Sequence, residues 1–420
     1  MAGPAPLILR ARAVLPMGQP PIANGAVVIA GSRIAAVGPL GDLRASFPGP
    51  VRDLGEVALL PGLVNAHCHL DYTHMAGLLP PQKSFCDWIK LITTEKAHWT
   101  FSDFAASWIE GAKMLVGSGT TSVGDIEAVP ELLPDVWDAT PLRLISFLEM
   151  TGVRSRKDPE LILQEAVNRI HSLPLQHSTA ALSPHAPYST TPKLLECVAA
   201  LARKRKLRVA THLAESATEF EMFRHARGEM FDWLSRNERN MSDCGEVSPV
   251  QLLARHRALT ANLLAVHVNY LAPGDARLLA QNRVSVAHCP RSHDYFQHEE
   301  FPCDTLTRAG VNVCLGTDSL ATVRKHPRCD LELNLFLEMR AFAAKHPKLP
   351  ARKILQMATI NGARALGRSG LVGELKRNAF ADLIAVPFLG KAADIYEAVI
   401  HHTGNVAASL IGGKWAIEPR

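Results

Sequence analysis

Between about residue 60 and residue 365 the chain alternates short apolar runs with longer stretches whose apolar positions recur every three or four residues. The first pattern reads as buried strand and the second as amphipathic helix. The strand-like runs are LLPGLVNAH (59–67), TTSVGDI (120–126), LRLISFLEM (142–150), TAALSPH (179–185), LRVATHL (207–213), LLAVHV (263–268), VSVAHCP (284–290) and VNVCLGTD (311–318). Helical stretches such as FSDFAASWIEGAKMLVGSG and PELILQEAVNRIHSL lie between them. This rhythm predicts an α/β fold, and eight βα units suit a (β/α)8 TIM barrel better than a six-stranded open sheet.

Outside that region the pattern becomes β. LILRARAVL, GAVVIAGSRIAAVGPL and VRDLGEVALL lie at one end; ADLIAVPF (381–388) and NVAASLIGGKWAI (405–417) lie at the other. The alternation around Gly-Ser and the Gly-Gly step each predict a hairpin. Two such segments at opposite chain ends can pair into one satellite sheet.

Composition narrows the partners. The 420 residues carry a net charge of +5, and mean hydropathy is near zero. The densest basic stretch, RKRKLR at 203–208, ends a segment with helical spacing, where cations are favoured. No further basic cluster with interleaved aromatics accompanies it, so no nucleic-acid partner is expected. No apolar run reaches the roughly 18 residues of a membrane span, and no membrane association is expected. Eight cysteines form no CxxC pair, which points to a reducing compartment. The N-terminal apolar stretch is too short for a secretory signal, so a cytoplasmic location is expected.

The chemistry sits at the strand ends. His67 and His69 follow run one, His185 run four, His212 run five, His267 run six and Asp318 run eight; Glu215 lies three residues after His212. In a barrel the strand C-termini form one rim, so these side chains would converge. His67 and His69 point to one face of an extended segment, and Cys68 to the other. Imidazoles and a carboxylate can bind a divalent ion, and a spare Glu and His can move protons, which is the inventory of a water-activating hydrolase. His171, His177, His225, His256, His326, His346, His401 and His402 lack the strand-end position and read as structural. His74, His293 and His298 lie where they could reach the rim.

LLPGLVNAHCHLD, SPHAPYST, THLAES, VHVNYL, AHCPRS and LGTDS, in this order, resemble the amidohydrolase superfamily. More narrowly they resemble its aminohydrolase branch, with the S-adenosylhomocysteine/methylthioadenosine, guanine and aminodeoxyfutalosine deaminases and the triazine hydrolases. The resemblance implies a barrel over residues 61–365, with a composite β-sandwich made from residues 1–60 and 366–420. It implies one divalent ion, zinc or iron, held by His67, His69, His212 and Asp318. His267 would orient the water or substrate, Glu215 would shuttle protons, Asp318 would help deprotonate the water, and His185 would touch the substrate. Strand four carries no lysine to bridge a second ion. The implied activity is hydrolytic deamination of an amino-substituted N-heterocycle, a purine base or nucleoside, with release of ammonia. A small-molecule substrate and, by analogy, a homo-oligomer go with it.

Several positions depart from the family wording. Arg324, Lys325 and Arg328 make the segment after Asp318 basic; Arg291 and His293 stand where small polar residues are common; Asn378 stands where glycine is frequent. HLDYTHMAGLLPPQKSFCDWI resembles aminodeoxyfutalosine deaminases, which implies base stacking by Trp88 and ribose binding by Glu95; the residues themselves read first as a helix packing residue and a solvated acid. Two other functions share the same metal site or fold: removal of chloride or alkylamine from a triazine-like ring, or hydrolysis of a cyclic amide, and a non-catalytic barrel scaffold.

Overall fold

The computed structural model describes residues 6–153, 157–174, 177–325 and 331–419. Arg328, His326 and Cys329 lie outside the described residues. Eight parallel strands form the central sheet: β1 Leu63–Cys68, β2 Thr120–Glu127, β3 Arg143–Met150, β4 Thr179–Pro184, β5 Val209–Leu213, β6 Leu263–His267, β7 Ser285–His288 and β8 Asn312–Leu315. All eight predicted runs are present, in a (β/α)8 barrel.

The barrel closes just past β8. The His67 carbonyl accepts from the backbone N–H of Thr317 (3.0 Å) and Asp318 (3.2 Å). The Asn65 amide supports the seam: its Nδ2 donates to Thr317 Oγ1 at 2.7 Å, and its Oδ1 accepts from Thr317 N at 3.1 Å. Gly316 passes so close that a Cβ there would lie 2.7 Å from the His67 oxygen. The interior is filled by alternate residues, among them Val64, Ala66, Phe147, Leu264 and Val266. Their neighbours Leu63, Leu263 and Ala265 pack under the helical shell instead. The helix Phe101–Gly117 starts from a reciprocal cap between Thr100 and Asp103. The basic stretch at 203–205 forms the last turn of the helix Pro192–Arg205.

One predicted strand is two. LLPGLVNAH divides into Val57–Pro61, which pairs antiparallel with Leu383–Pro387, and β1 of the barrel. The break is Gly62, where a Cβ would lie 2.1 Å from the Thr121 hydroxyl. Period-two alternation is the same on both sides of the break, so it could not reveal the change of sheet. Val57–Pro61 and Leu383–Pro387 are neighbours in a six-stranded sheet, opposed by a four-stranded sheet from the N-terminal segment. Leu9, Val27, Leu59, Leu383 and Leu410 fill the space between them. The composite β-sandwich of the two chain ends is thus present, and Arg143 of β3 ties the barrel to it through a bidentate pair with buried Asp382 (2.6 and 3.2 Å).

Trp108 shows how the shell holds the barrel. Its ring is fully buried, and Nε1 donates to Asp125 of β2 at 3.0 Å. Asp125 also accepts from Leu70 N at 3.0 Å, fixing the turn that follows His69. Trp108→Phe keeps most of the volume but removes the donor to a buried carboxyl, and should cost about 1–3 kcal/mol. Equilibrium urea unfolding checks this; an unchanged midpoint would show that Asp125 does not need the indole.

Candidate active site

The rim collects the predicted residues because each lies at or just past a strand C-terminus, and three elements bend sharply to present them. His267 and Asp318 have φ of 73° and 54°, and Ala214, before Glu215, has φ of 49°. Non-glycine residues seldom adopt this left-handed region, which costs roughly 1–2 kcal/mol each. The strain turns side chains at the ends of β5, β6 and β8 towards the barrel axis.

Two triads of donor atoms result, His67–His69–His212 and Glu215–His267–Asp318, with the atoms of each within 4.8 Å of one another. Asp318 joins them, since its Oδ1 lies 3.7 Å from Nε2 of both His67 and His69. The nitrogens His69 Nε2 and His212 Nε2 face each other at 3.4 Å. The His212 Nδ1 lies 3.1 Å from the His185 carbonyl, which can only accept, so Nδ1 carries the proton and Nε2 is left as a lone pair. His67 Nε2 and His267 Nε2 are buried and have no hydrogen-bond partner among the described residues. Converging lone pairs of this kind repel unless a cation lies between them. A separation of 3.4 Å is also what two nitrogens have on one tetrahedral ion with bonds of about 2.0–2.1 Å. The donor set therefore fits a divalent metal.

Burial sets the protonation states. It holds His69 and His212 well below the usual imidazole range, helped by the neighbouring imidazoles, and takes His267 down to about 3. Burial opposes the Asp318 carboxylate, but the surrounding His67, His267 and His69 outweigh it and hold the pKa well below the ordinary value. Glu215 goes the other way: burial, then the charges of Asp318 and Glu219, push its pKa well up. Its Oε1 lies 3.4 Å from His267 Nε2. The two carboxyls are thus pushed in opposite directions within the same pocket.

The site opens into a cavity of about 720 Å³, a size suited to a small organic ligand. His185 lines it, with Nδ1 at 2.5 Å from Ser189 Oγ and Nε2 at 3.8 Å from Glu149 Oε1. The Ser189 hydroxyl also lies 3.2 Å from the Ala186 carbonyl, to which it can donate. Trp88 lines the cavity and Glu95 does not. Sequence reasoning missed Glu149, Tyr72, Tyr188 and Trp233 on the cavity wall. Glu149 ends β3, so the strand-end rule applied to acids on every strand would have found it. Tyr72 stacks on His69, with ring centroids 5.2 Å apart and planes 8° apart.

The departures from the family wording are explained elsewhere. Arg291 donates through Nε to Glu338 Oε1 (2.5 Å) and through its guanidinium to the Glu332 carbonyl (2.8 Å); Glu338 is fully buried. It is a tie between helices rather than a cavity residue. His293 Nδ1 lies 3.1 Å from Asn269 Oδ1, outside the cavity lining. Arg324, Lys325 and His74 are exposed. Tyr270 OH and His298 Nδ1 are 3.3 Å apart, away from the cavity. Asn378 has φ of 69°, a conformation asparagine tolerates in place of glycine.

Comparison with known proteins adds to this geometry. The family model described as "Amidohydrolase family" matches residues 58–416, and an "Imidazolonepropionase-like composite domain, bacteria" matches residues 25–49. A 5-methylthioadenosine/S-adenosylhomocysteine deaminase of Syntrophobacter fumaroxidans is 30% identical, over 94% of this chain and 89% of its own. An adenosine deaminase of Xanthomonas campestris with bound zinc superposes with a TM-score of 0.84 at 25% identity, covering 100% of this chain and 94% of that one. The Helicobacter pylori aminofutalosine deaminase in complex with methylthio-coformycin gives 0.85 at 22% identity, covering 98% and 100%.

Arg291→Met should leave KM for any substrate unchanged and lower stability by about 3–5 kcal/mol, because it strands a buried carboxyl. Steady-state kinetics beside chemical denaturation test this. A raised KM with unaltered stability would return Arg291 to the substrate site.

Proposed function

The chain belongs to the amidohydrolase family and is a hydrolase of carbon–nitrogen bonds; on that footing we propose that it is a metal-dependent deaminase of an amino-substituted N-heterocycle, of the adenosine-like nucleoside type. The observation that carries this is the pairing of buried Glu215, whose pKa burial pushes well up, with His267 at 3.4 Å, beside a donor set fit for a metal. The relatives named above support the substrate class.

His67, His69, His212 and Asp318 would hold one ion, zinc or iron. When bound, such an ion supplies water of lowered pKa, about 7 rather than 15.7. Every other task falls to this chain's side chains. Asp318, kept ionised, can accept a proton from the attacking water. Glu215, kept as an acid, can donate to the ring nitrogen beside the carbon under attack, which relieves the cost of breaking aromaticity. Once it has given that proton up, the same carboxylate can take one from the addition product and pass it to the departing amine. His267, at 3.4 Å from Glu215, orients the water or substrate between the two carboxyls. His185, on the cavity wall, would touch the substrate. A single ion is favoured because β4, Thr179–Pro184, carries no lysine that could bridge two.

Chloride or alkylamine release from a ring would use the same metal donors and the same acid, so deamination is preferred on the relatives, which are deaminases. A scaffold without catalysis would have no use for unpartnered buried imidazoles. A cytoplasmic location belongs to the same proposal: among the described residues all seven cysteines are free, and no helix is long and apolar enough to cross a membrane.

Ammonia release should be measured over a panel of adenosine, 5′-methylthioadenosine, S-adenosylhomocysteine, aminofutalosine and guanine, with chloride release from chlorotriazines alongside. At least one nucleoside should release ammonia; chloride release alone, or no release at all from metal-loaded protein, refutes the assignment. Glu215→Gln should lower kcat about 10²–10⁴-fold with bound metal retained. Elemental analysis should find one equivalent of zinc or iron per chain and a loss in His69→Ala. Two equivalents would overturn the single-ion reading.

A further inference from the structure

The segment Leu213–Ala214–Glu215 leaves no backbone polar group unaccounted for. The Ala214 and Glu215 N–H groups both donate into one carboxylate, that of Glu219, at 3.1 and 2.8 Å. The carbonyls of Leu213 and Ala214 accept from Val268 N (2.9 Å) and Asn269 N (3.0 Å). The Glu215 carbonyl accepts from Asn269 Nδ2 at 2.9 Å. Asn269 Oδ1 is in turn met by His293 Nδ1 at 3.1 Å.

Glu219 has an ordinary explanation that must be weighed. Ser216 caps the helix Ala217–His225 and accepts from Glu219 N at 3.2 Å, so Ser-Ala-Thr-Glu spells a capping box. The Glu219 carboxylate, besides the backbone N–H of Ser216 that acts on it, takes its two hydrogen bonds behind the cap, at residues 214 and 215. It is also fully buried, an expensive place for a charge whose only task is to end a helix. The segment it binds contains Ala214 in the left-handed region, and the opposing segment has His267 and Val268 in the same region. Two strained turns are locked edge to edge. Each carries one member of the Glu215–His267 pair.

We propose that Glu219 and Asn269 are positioning residues: they clamp the two turns from opposite sides and so set where the Glu215 carboxyl stands relative to His267 and the reacting ring. This rests on Glu215 being the proton shuttle. The clamp touches neither the substrate cavity nor the metal donors; neither residue lines the cavity. Its loss should therefore appear in turnover and not in binding.

The test uses Glu219→Gln, Asn269→Leu and the double variant, with metal content, KM and kcat measured on the nucleoside of the panel above that turns over fastest. An amide at 219 has one acceptor for two N–H donors. Leucine at 269 keeps the backbone bond and removes the side-chain one. Each single variant should lose about 10- to 100-fold in kcat, the effect of displacing a reacting group by about 1 Å. KM should stay within about threefold, and metal at one equivalent. The double variant should lose little more than the worse single one, because both hold the same turn. The clamp is refuted if kcat stays within twofold in the soluble single variants, if kcat falls only in proportion to lost metal, or if the two losses multiply. Should Glu219→Gln fail to fold, Asn269→Leu alone decides by the same criteria. If the parent protein releases no ammonia from any panel member, the functional reading fails. If it does but Glu215→Gln is fully active, the shuttle role fails; neither result depends on the clamp variants.

Discussion

Everything at the rim depends on the seam that closes the barrel. β1 and the end of β8 are nearly 250 residues apart, and the bonds from Thr317 and Asp318 to the His67 carbonyl, with Asn65 bracing Thr317, join them. The same seam sets the metal donors, because His67 supplies both the carbonyl and an imidazole, and Asp318 both the N–H and a carboxylate. Ligand geometry and barrel closure are thus one constraint. Gly316 is the residue that lets the chains approach, and Asp318 takes up the backbone strain.

Desolvation then divides labour among chemically similar groups. In water Asp318 and Glu215 would both be ionised at neutral pH. Here Asp318 sits among three imidazoles that outweigh its burial, while Glu215 has acids for neighbours and burial unopposed. The two carboxyls are thereby driven apart in acidity, which suits the proposed division into one base and one acid. Neutral imidazoles follow from the same low polarity, and neutral imidazole is the form that binds a metal.

How much of this was legible in the sequence follows from which forces are local. Strand periodicity and strand-end position are local, and they located the eight strands and the residues that now face one another across the rim. Gly62 was opaque, because the strands on either side of it share one alternation and differ only in which sheet they join. Arg291 was opaque because its partner, Glu338, lies 47 residues away, and nothing in either segment announces the pair. Glu149 is a different case: its position at the end of β3 was readable, but an acid in an apolar run carried no motif to single it out. Asn269 and Glu219 lie within a few residues of His267 and Glu215, which were read as catalytic, yet their hydrogen bonds go to backbone groups, which leave no mark on side-chain patterns.

The walls of the cavity beyond the metal follow a separate logic. Trp88 comes from the helix Phe85–Lys96 after β1, and Trp233 from the helix Glu229–Arg236 after β5; neither belongs to the barrel. The second of these is fastened by Arg239, which pairs bidentately with Asp243 (2.7 and 2.8 Å) and donates to the carbonyls of Pro187 and Tyr188 (both 3.1 Å). No bond of that fastening reaches the seam between β1 and β8 or the turns at β5 and β6. Changes in the second segment can therefore reshape what the cavity admits while the side chains at the strand ends stay in place; the first is tied to them, since Lys96 donates to the hydroxyl of Tyr72, which stacks on His69. That separation explains how one rim chemistry can serve different heterocycles, and why reaction class is written in strand ends while substrate choice is written in the segments that cover them.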